Sequence, residues 1–412
     1  MASQQDGNPI DRMVYTTLII LSICILLWRS FKWGTFFRRN FVLIIFLSYC
    51  LLSVTWSDFP LIALKRWFRD MGDYLAVLVI LSDPDPVAAV QYALKRLCYV
   101  VISLSVLLVK YFPFLSRLYN PWTGASEFIG AATSKNTLGS ICLVSGLVFF
   151  WDTALRWPDR RERKTKLVIL VNAAFFLMSI YLINLSSSAT SHVCLVLGCG
   201  VILGAQSKWG RRHARLLFFV LPSIFLLYLF LDFGLGMNGQ LAKELGRSPD
   251  LTGRTVIWSA LLKVHTDPLL GTGYESFWLG PRLQQIWQEC GYINEAHNGY
   301  LDIYLNLGLI GVFLLLFFLV VIYRRAWRAF QRRFELSSLG LAMWVLILFY
   351  NMSEAAFKNG LLWMLLILAS IEMPRPAMLR EKWKLRKFPA LPEALPSQYL
   401  AIGSRTQNEH RY

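Results

Sequence analysis

The stretch from Leu251 to Gly311 decides how this chain is organised. It begins LTGRTVIWSALLKVHTDPLLGTGYESFW, continues through a short polar passage, and ends NEAHNGYLDIYLNLGLIG. Polar residues and glycines collect here beside an apolar run that opens near Gly299, whereas most of the remaining chain is hydrophobic. Arg254 and His297 lie in this stretch. We therefore predict a group that can hold an anion and an imidazole that can move a proton on one loop.

The composition indicates a polytopic membrane protein. Of the 412 residues, 56% are hydrophobic and 16% are charged, whereas soluble domains carry about 25% charged residues. The net charge of +17 is explained by Lys and Arg in cytoplasmic loops. No basic soluble domain is predicted, so nucleic acid is not an expected partner. The seven cysteines form no metal-binding or disulfide pattern, and no cofactor is predicted.

Apolar runs long enough to cross a bilayer predict an all-α fold with about eleven transmembrane helices, within a range of ten to twelve. The predicted spans are 14–30, 40–56, 64–82, 96–114, 136–156, 166–185, 190–206, 215–234, 299–322, 337–353 and 360–374. The chain then divides into membrane helices (1–234), a long loop (235–298), further membrane helices (299–374) and a basic tail (375–412).

The distribution of Lys and Arg predicts which side of the membrane the long loop occupies. With eleven spans, six basic clusters fall on one side, which the positive-inside rule assigns to the cytoplasm, together with the tail. The loop 235–298 is then periplasmic, and a loop of this length is usually functional. Residues 252–265 predict a short amphipathic helix in it, capped by Asp250 or Thr252 and ended by Pro268.

Three basic residues stand at the outer end of the third predicted span: Lys65, Arg66 and Arg69. Ionisable groups within a span are costly and usually face a cavity or a partner. The partner is either an anionic headgroup such as a diphosphate, with Arg66 as the preferred ligand, or lipid phosphate and the nearby Asp58, Asp70 and Asp73.

Arg254 and His297 each admit two interpretations. Arg254 stands at the start of the loop helix, where the helix dipole favours an anion; the alternative is a surface ion pair with Asp250. His297 is a candidate general base or, alternatively, a helix-capping or interfacial residue. Asp302 is a candidate to orient the imidazole or balance a charge. No carboxylate pair, metal-binding cluster or nucleophile elbow is predicted.

Five ordered motifs run through most of the chain. They are Ser53-Val-Thr-Trp56-Ser57 with Pro60 and Arg66; Ser134-Lys-Asn136-Thr-Leu-Gly139; the serine-rich turn Leu185-Ser-Ser-Ser; Gly253-Arg254-Thr255 with Trp258, Pro268-Leu-Leu-Gly271 and Gly273; and His297-Asn298 with Leu307-Gly308 and Gly311. Together, and on this topology, they resemble the O-antigen ligase and Wzy-type polymerase superfamily.

The resemblance implies a glycosyltransferase of the bacterial inner membrane, with its active site facing the periplasm. The donor would be an oligosaccharide linked to undecaprenyl diphosphate, and the reaction would be metal-independent and inverting. The resemblance favours a polymerase of exopolysaccharide or O-antigen. A ligase that transfers the glycan to lipid A–core is the alternative, and a protein O-glycosyltransferase is disfavoured because a large extra periplasmic domain is not predicted.

The resemblance also implies roles for individual residues. His297 and Arg254 would be catalytic, with His297 activating the acceptor hydroxyl. The diphosphate would be bound by Arg66, Arg254 and Lys135, and the supporting residues would be Asn298, Asp302 and Asn136. Many family members carry an arginine just after the serine-rich turn, where this chain has Ala189, so diphosphate binding would depend more on the remaining basic residues.

Two other classes of protein compete with an enzyme. A polysaccharide or lipid transporter commonly has internal repeats and broken helices in matching halves, and neither is predicted here. A membrane scaffold would not need Arg66, Arg254 and His297 to converge. Membrane lipids are expected partners in every case, and the sequence does not determine the oligomeric state.

Overall fold

The computed structural model describes residues 9–119, 126–234, 254–357 and 360–373. Apart from a hairpin of two three-residue strands, β1 (Arg117–Tyr119) and β2 (Ser126–Phe128), the regular structure described is helical. The helices are α1 (Pro9–Trp28), α2 (Trp33–Arg39), α3 (Phe41–Leu52), α4 (Pro60–Leu81), α5 (Pro86–Tyr111), α6 (Pro113–Ser116), α7 (Lys135–Arg156), α8 (Arg163–Ser186), α9 (Ala189–Gln206), α10 (Lys208–Arg212), α11 (Ala214–Leu229), α12 (Arg254–Lys263), α13 (Gly280–Cys290), α14 (Gly299–Gln331), α15 (Ser337–Tyr350) and α16 (Leu361–Ser370).

A multi-pass helical membrane protein is confirmed, but the number of eleven spans is not. Every predicted span coincides with a helix. Within the described residues, six helices are long and apolar enough to cross a membrane, and a seventh span is possible if the pair Arg12–Trp28 and Trp33–Arg39, bent by 106°, counts as one. The helices Phe41–Trp56, α15 and α16 are apolar but shorter, and α4 carries several charges near its start.

The core is built around α7, which packs against α8, α9 and α5. In the most apolar 18-residue segment of α7, 67% of the residues are buried, whereas in that of α11 only 6% are. Helix α7 is therefore central, and α11 leaves its apolar side chains on the surface, as expected for a helix that faces lipid. Helix α15 closes the core from the other side by packing on α9, α14 and α16. The start of α7 and the end of α15, both near the long loop, are thereby brought together.

Helix α14 is broken inside its apolar sequence. Gly308 has φ +64° and ψ −167°, a backbone conformation that is essentially restricted to glycine. A break in a span leaves backbone groups that must find partners within the protein. The preceding loop supplies them through four backbone hydrogen bonds: Thr272 N to Leu305 O, Gly273 N to Asn306 O, Leu309 N to Pro268 O and Ile310 N to Leu269 O, at 2.8–3.3 Å. The loop residues 268–273 and the broken part of the span, residues 305–310, therefore form one structural unit.

The first sequence motif, which begins at Ser53, also packs against this unit. Tyr274 N donates to Ser53 Oγ at 3.0 Å, and Trp56 Nε1 donates to Leu270 O at 3.3 Å. A β-carbon at Gly273 would lie 2.7 Å from Ser57 Cβ, so only glycine allows this approach. The turn after α3 thus holds the loop onto the broken span.

Candidate functional site

The start of α14 is anchored on the turn that follows α15. Gly299 N donates to both Asn351 O at 2.9 Å and Glu354 O at 3.0 Å. A β-carbon at Gly299 would lie 1.9 Å from Asn351 Oδ1, which explains the glycine at this position. This close approach of two backbones places His297, two residues before α14, beside Glu354.

The side chain of Glu354 contacts residues from three distant parts of the chain. Its Oε1 accepts from Arg254 Nη2 at 3.0 Å, and its Oε2 accepts from Asn136 Nδ2 at 3.0 Å. His297 Nδ1 lies 3.5 Å from the same Oε2 and 3.0 Å from Glu295 Oε1. Arg254 and His297 therefore meet, as predicted, but they meet across a carboxylate that the sequence did not single out.

The backbone and the ring of His297 are both held in unusual states. The residue has φ +47°, in the left-handed region. The contacts of Nδ1 with the two carboxylates are ion pairs when the ring is protonated. Burial lowers the pKa of the imidazole, but the Glu295 and Glu354 carboxylates outweigh that effect and raise the pKa to about 9. The ring is therefore mostly protonated at neutral pH.

The backbone beside His297 is fixed by its neighbours. Ala296 N donates to Asp302 Oδ1 at 3.2 Å, and Ala296 O accepts from Trp258 Nε1 at 2.8 Å. Asp302 is fully buried and also accepts from Trp278 Nε1 at 3.1 Å. Asn298 caps α14, because its Oδ1 accepts from the backbone N–H groups of the next helical turn. The cap is thus Asn298 and not His297.

The other predicted diphosphate ligands have separate partners. Arg66 Nη1 donates to the backbone carbonyl of Glu275 at 2.6 Å, and Lys135 Nζ pairs with Glu127 Oε1 at 2.7 Å. The structure therefore brings together Arg254, His297 and Asn136, while these contacts of Arg66 and Lys135 lie outside the group. Arg69 Nε pairs with Asp70 Oδ1 at 3.1 Å. This contact agrees with the alternative prediction, in which these basic residues pair with nearby aspartates.

The serine-rich turn lies between the start of α7 and the turn after α15. Ser188 caps α9, and a β-carbon at Gly139 of α7 would lie 2.8 Å from its Cβ. Thr190 Oγ1 and Ser353 Oγ are 2.7 Å apart, which ties α9 to the residue before Glu354. The helix predicted over 252–265 is present as α12, and its predicted caps Asp250 and Thr252 lie outside the described residues, as does the tail after 374.

The carboxylate–imidazole group could hold a cation by distance alone. One ligand atom from each of Glu295, His297 and Glu354 lies within 4.8 Å of the others. However, both Glu354 oxygens already face Arg254, Asn136 or the imidazole. A divalent ion would have to displace these partners or lie close to the Arg254 and His297 cations, at an electrostatic cost. The donor set therefore fits an internal ion-pair network better than a metal site.

A cavity of about 460 Å³ adjoins the group. Its polar end is lined by Asn136, Glu295 and Glu354, and its apolar walls come from α5, α7 and α16, with Leu97, Val101, Ile141 and Leu361 among the lining residues. Ligand sites commonly combine mostly apolar walls with a few convergent polar groups. A molecule with a polar head and an apolar chain suits this cavity.

Sequence reasoning missed Glu354 and Glu295, and the structure corrects the expectation that no carboxylate pair would form. One signal was available for Glu354. It interrupts a long apolar sequence that reaches from Ser337 to Ser370, and an ionisable residue in such a setting is a functional candidate. Glu295 sits in a polar loop, where a carboxylate carries no such signal.

Comparisons with known proteins show what the sequence is similar to. Residues 173–316 match the model of the O-Antigen ligase family, Wzy_C, and this region contains Arg254 and His297. Over 285 residues, the chain is 25% identical to the exopolysaccharide production protein ExoQ of Rhizobium meliloti (strain 1021). That similarity covers 67% of this chain and 62% of the relative, so the chain spans less than two thirds of the relative's length. The predicted resemblance to the O-antigen ligase and Wzy-type polymerase superfamily is therefore confirmed, through a domain that runs from α8 into the broken span α14.

Proposed function

We propose that this protein is a glycosyltransferase that polymerises a glycan carried on undecaprenyl diphosphate, at the periplasmic face of the bacterial inner membrane. The observation that carries the proposal is the convergence of Arg254 and His297 on one buried carboxylate, next to a cavity with a polar end and apolar walls. The predicted orientation supports the periplasmic side, because the Lys and Arg clusters fall opposite the loop that bears these residues.

The proposed reaction is a single displacement. The acceptor hydroxyl oxygen forms a bond to the anomeric carbon of the donor sugar, and the bond from that carbon to the diphosphate oxygen breaks. The diphosphate leaves with the bonding electrons, and a guanidinium such as that of Arg254 can stabilise its negative charge. Attack from the side opposite the leaving group inverts the anomeric carbon. The hydroxyl proton passes to the His297 imidazole.

The raised pKa of His297 sets both the strength of the proposed base and the fraction of it that is neutral. A pKa of about 9 makes the neutral ring a stronger base than an ordinary imidazole, but leaves roughly one ring in a hundred neutral at pH 7. Nδ1 faces the carboxylates, so Nε2 is the nitrogen that would take the proton. The transfer rate is therefore expected to rise with pH up to about 9.

Donor binding would use the two kinds of surface that meet at the cavity. The apolar walls between α5, α7 and α16 suit part of a prenyl chain, and the polar end suits the sugar hydroxyls. Arg254 would be the main diphosphate ligand, and Arg66 and Lys135 would bind it only after exchanging their present partners. No metal ion is part of the proposed step.

The choice of acceptor rests on different observations. The similarity to an exopolysaccharide production protein favours a polymerase, in which the acceptor is another lipid-linked glycan. The match to the O-antigen ligase family model keeps a second candidate, a ligase that transfers the glycan to lipid A–core. Both candidates use the same donor and the same site.

A complementation experiment tests the proposal and separates the two candidates. A strain deleted for this gene would receive the wild type, His297→Ala or Arg254→Ala, with membrane levels checked and surface polysaccharide and lipid-linked intermediates analysed. Matched controls are His265→Ala and Lys263→Ala, which remove the same residue type or a similar charge from exposed positions in or next to α12.

Each outcome has a distinct meaning. Loss of long polymer with accumulation of single lipid-linked repeats, in the two site variants and not in the controls, supports a polymerase. Polymer that is made but fails to reach lipid A–core supports a ligase. Full activity of both site variants at normal membrane level would remove this site and return the transporter to consideration.

A further inference from the structure

Glu354 is a carboxylate in a place where a carboxylate is costly. It lies in the turn between α15 and α16, two helices of almost wholly apolar sequence, and its side chain is only 7% exposed. Taking a carboxylate out of water costs several kcal/mol unless nearby cations and donors compensate. The partners of Glu354 are therefore the reason that it can remain charged there.

Those partners are residues of the proposed site. Oε1 holds the guanidinium of Arg254 through Nη2, and Oε2 faces Nδ1 of His297. The amide of Asn136 donates to Oε2 at 3.0 Å and so holds the carboxylate itself. These three residues come from α12, the loop before α14, and the first turn of α7, and the Glu354 side chain contacts all of them.

A second buried carboxylate in the chain provides a comparison. Asp152, near the other end of α7, accepts from Lys95 Nζ at 2.7 Å, Arg156 Nε at 3.0 Å and Asn172 Nδ2 at 2.8 Å. It has a similar burial and number of partners, but it contacts no predicted site residue among those described. A substitution at Asp152 breaks a buried ion pair away from the site, so it serves as the control for a substitution at Glu354.

We propose that Glu354 is a positioning residue for the transfer reaction, which sets the relative placement of the Arg254 guanidinium and the His297 imidazole. The proposal rests on the proposed function. Glu354 would act through its contacts with these two residues: it faces Nδ1 of the imidazole, so that Nε2 is left to take the proton, and it leaves the remaining guanidinium N–H groups for the diphosphate.

The proposal predicts a division between binding and chemistry. Glu354 is an anion that lines the cavity beside Arg254, so replacing it with neutral glutamine removes no cation that could bind the diphosphate and keeps a polar side chain there. Donor affinity should therefore be unchanged or higher, whereas the transfer rate should fall because the imidazole and guanidinium lose their common support.

The pH profile should move as well. Among the described residues, the charged groups that face the imidazole are Glu295 from its own loop, Glu354 from the turn after α15, and Arg254 through Glu354; Tyr350 of α15 also lies near Glu354. Removing the charge of Glu354 leaves Glu295 as the carboxylate that supports the imidazolium. The limb of the pH profile assigned to His297 should therefore move from about 9 to a lower pH.

The test uses the full-length protein purified in detergent, with the lipid-linked single repeats extracted from the deletion strain as the substrate. Wild type, Glu354→Gln, Glu354→Asp and Asp152→Asn are compared for kcat, for KM of the donor and for the pH profile, each per folded molecule. We expect Glu354→Gln to lower kcat at least tenfold without raising KM, and to move the limb to lower pH. Asp152→Asn should lower the amount of folded protein but not these values.

Glu354→Asp keeps the charge and shortens the side chain by one methylene. It should lower kcat while the pH limb stays near that of the wild type, and it serves as the decisive variant if Glu354→Gln does not fold. Wild-type kcat and pH limb in the folded Gln variant, or wild-type kcat in the Asp variant, would overturn the positioning role. Failure of the wild type to transfer the repeats would instead overturn the proposed function.

Discussion

The carbonyl oxygen of Leu269 lies 2.1 Å from the position that a β-carbon on Gly308 would occupy. A loop backbone and a broken membrane span thus approach each other more closely than any side chain permits. The loop before α14 is consequently part of the membrane fold, because it supplies the hydrogen bonds that the break in the span requires.

Gly308→Ala should destabilise the protein severely. The left-handed backbone alone costs about 1–3 kcal/mol for a residue with a side chain, and the added methyl group would also displace Leu269. The expected result is a lower melting temperature in detergent and a reduced amount in the membrane. Gly200→Ala in α9 is the matched control, since a β-carbon there meets no atom within 4 Å; equal stability of the two variants would contradict this account.

The fold should lose stability as the pH rises. The pKa of His297 is raised in the folded protein from 6.5 to about 9. A raised histidine pKa stabilises the fold fully below the unfolded value, and this contribution is lost as the pH rises through the folded value. The expected loss is at most roughly 3 kcal/mol, measured as melting temperature between pH 6 and pH 10. His297→Gln should flatten this dependence, and the exposed His265→Gln should not.

Lys135 should contribute less to transfer than Arg254. Its ammonium pairs with Glu127 at the protein surface and is 36% exposed, whereas Arg254 is only 18% exposed. Solvent screens the interactions of the more exposed charge. We expect Lys135→Ala to lower transfer only a few-fold and Arg254→Ala to lower it at least tenfold, both at saturating donor. Glu127→Gln removes the same surface pair without removing the cation and should leave transfer close to that of the wild type.

Chelators should not reduce activity. The Glu295 and Glu354 carboxylates are compensated by Arg254 and His297, so we expect the proposed transfer step to proceed without a bound divalent ion. Purified protein treated with EDTA and passed through a desalting column should transfer the lipid-linked repeats at the untreated rate. Activity that disappears on chelation and returns with Mg²⁺ or Mn²⁺ would instead identify Glu295, His297 and Glu354 as metal ligands.

Hydrophobicity predicted the helices of this protein well, but it did not predict which of them are long enough to span a membrane. Apolar runs locate helices because each membrane segment must satisfy its own backbone. The same runs do not reveal that α15 and α16 are short or that α14 breaks at Gly308. A break depends on partners from another part of the chain, here residues 268–273, and those partners follow no local period.

The candidate site was predictable only at residues that lie in one of the sequence motifs. Arg254 and His297 were identified from their types and their place beside a span, and the structure brings them together. Glu354 was not identified, although its place in an apolar sequence was a signal, because no spacing in the sequence encodes its contacts with Asn136, Arg254 and His297. For the same reason, the separate partners of Arg66 and Lys135 became apparent only in three dimensions.

The position of Glu354 in the chain also sets an order of events during biosynthesis. Asn136, Arg254 and His297 leave the ribosome before the carboxylate that they all contact. Until α15 and the turn after it have been inserted, the guanidinium and the imidazole have no Glu354 to hold them in place. The growing chain therefore stays without an assembled site while its first helices enter the bilayer, and a protein truncated before α15 should reach the membrane without being able to act there.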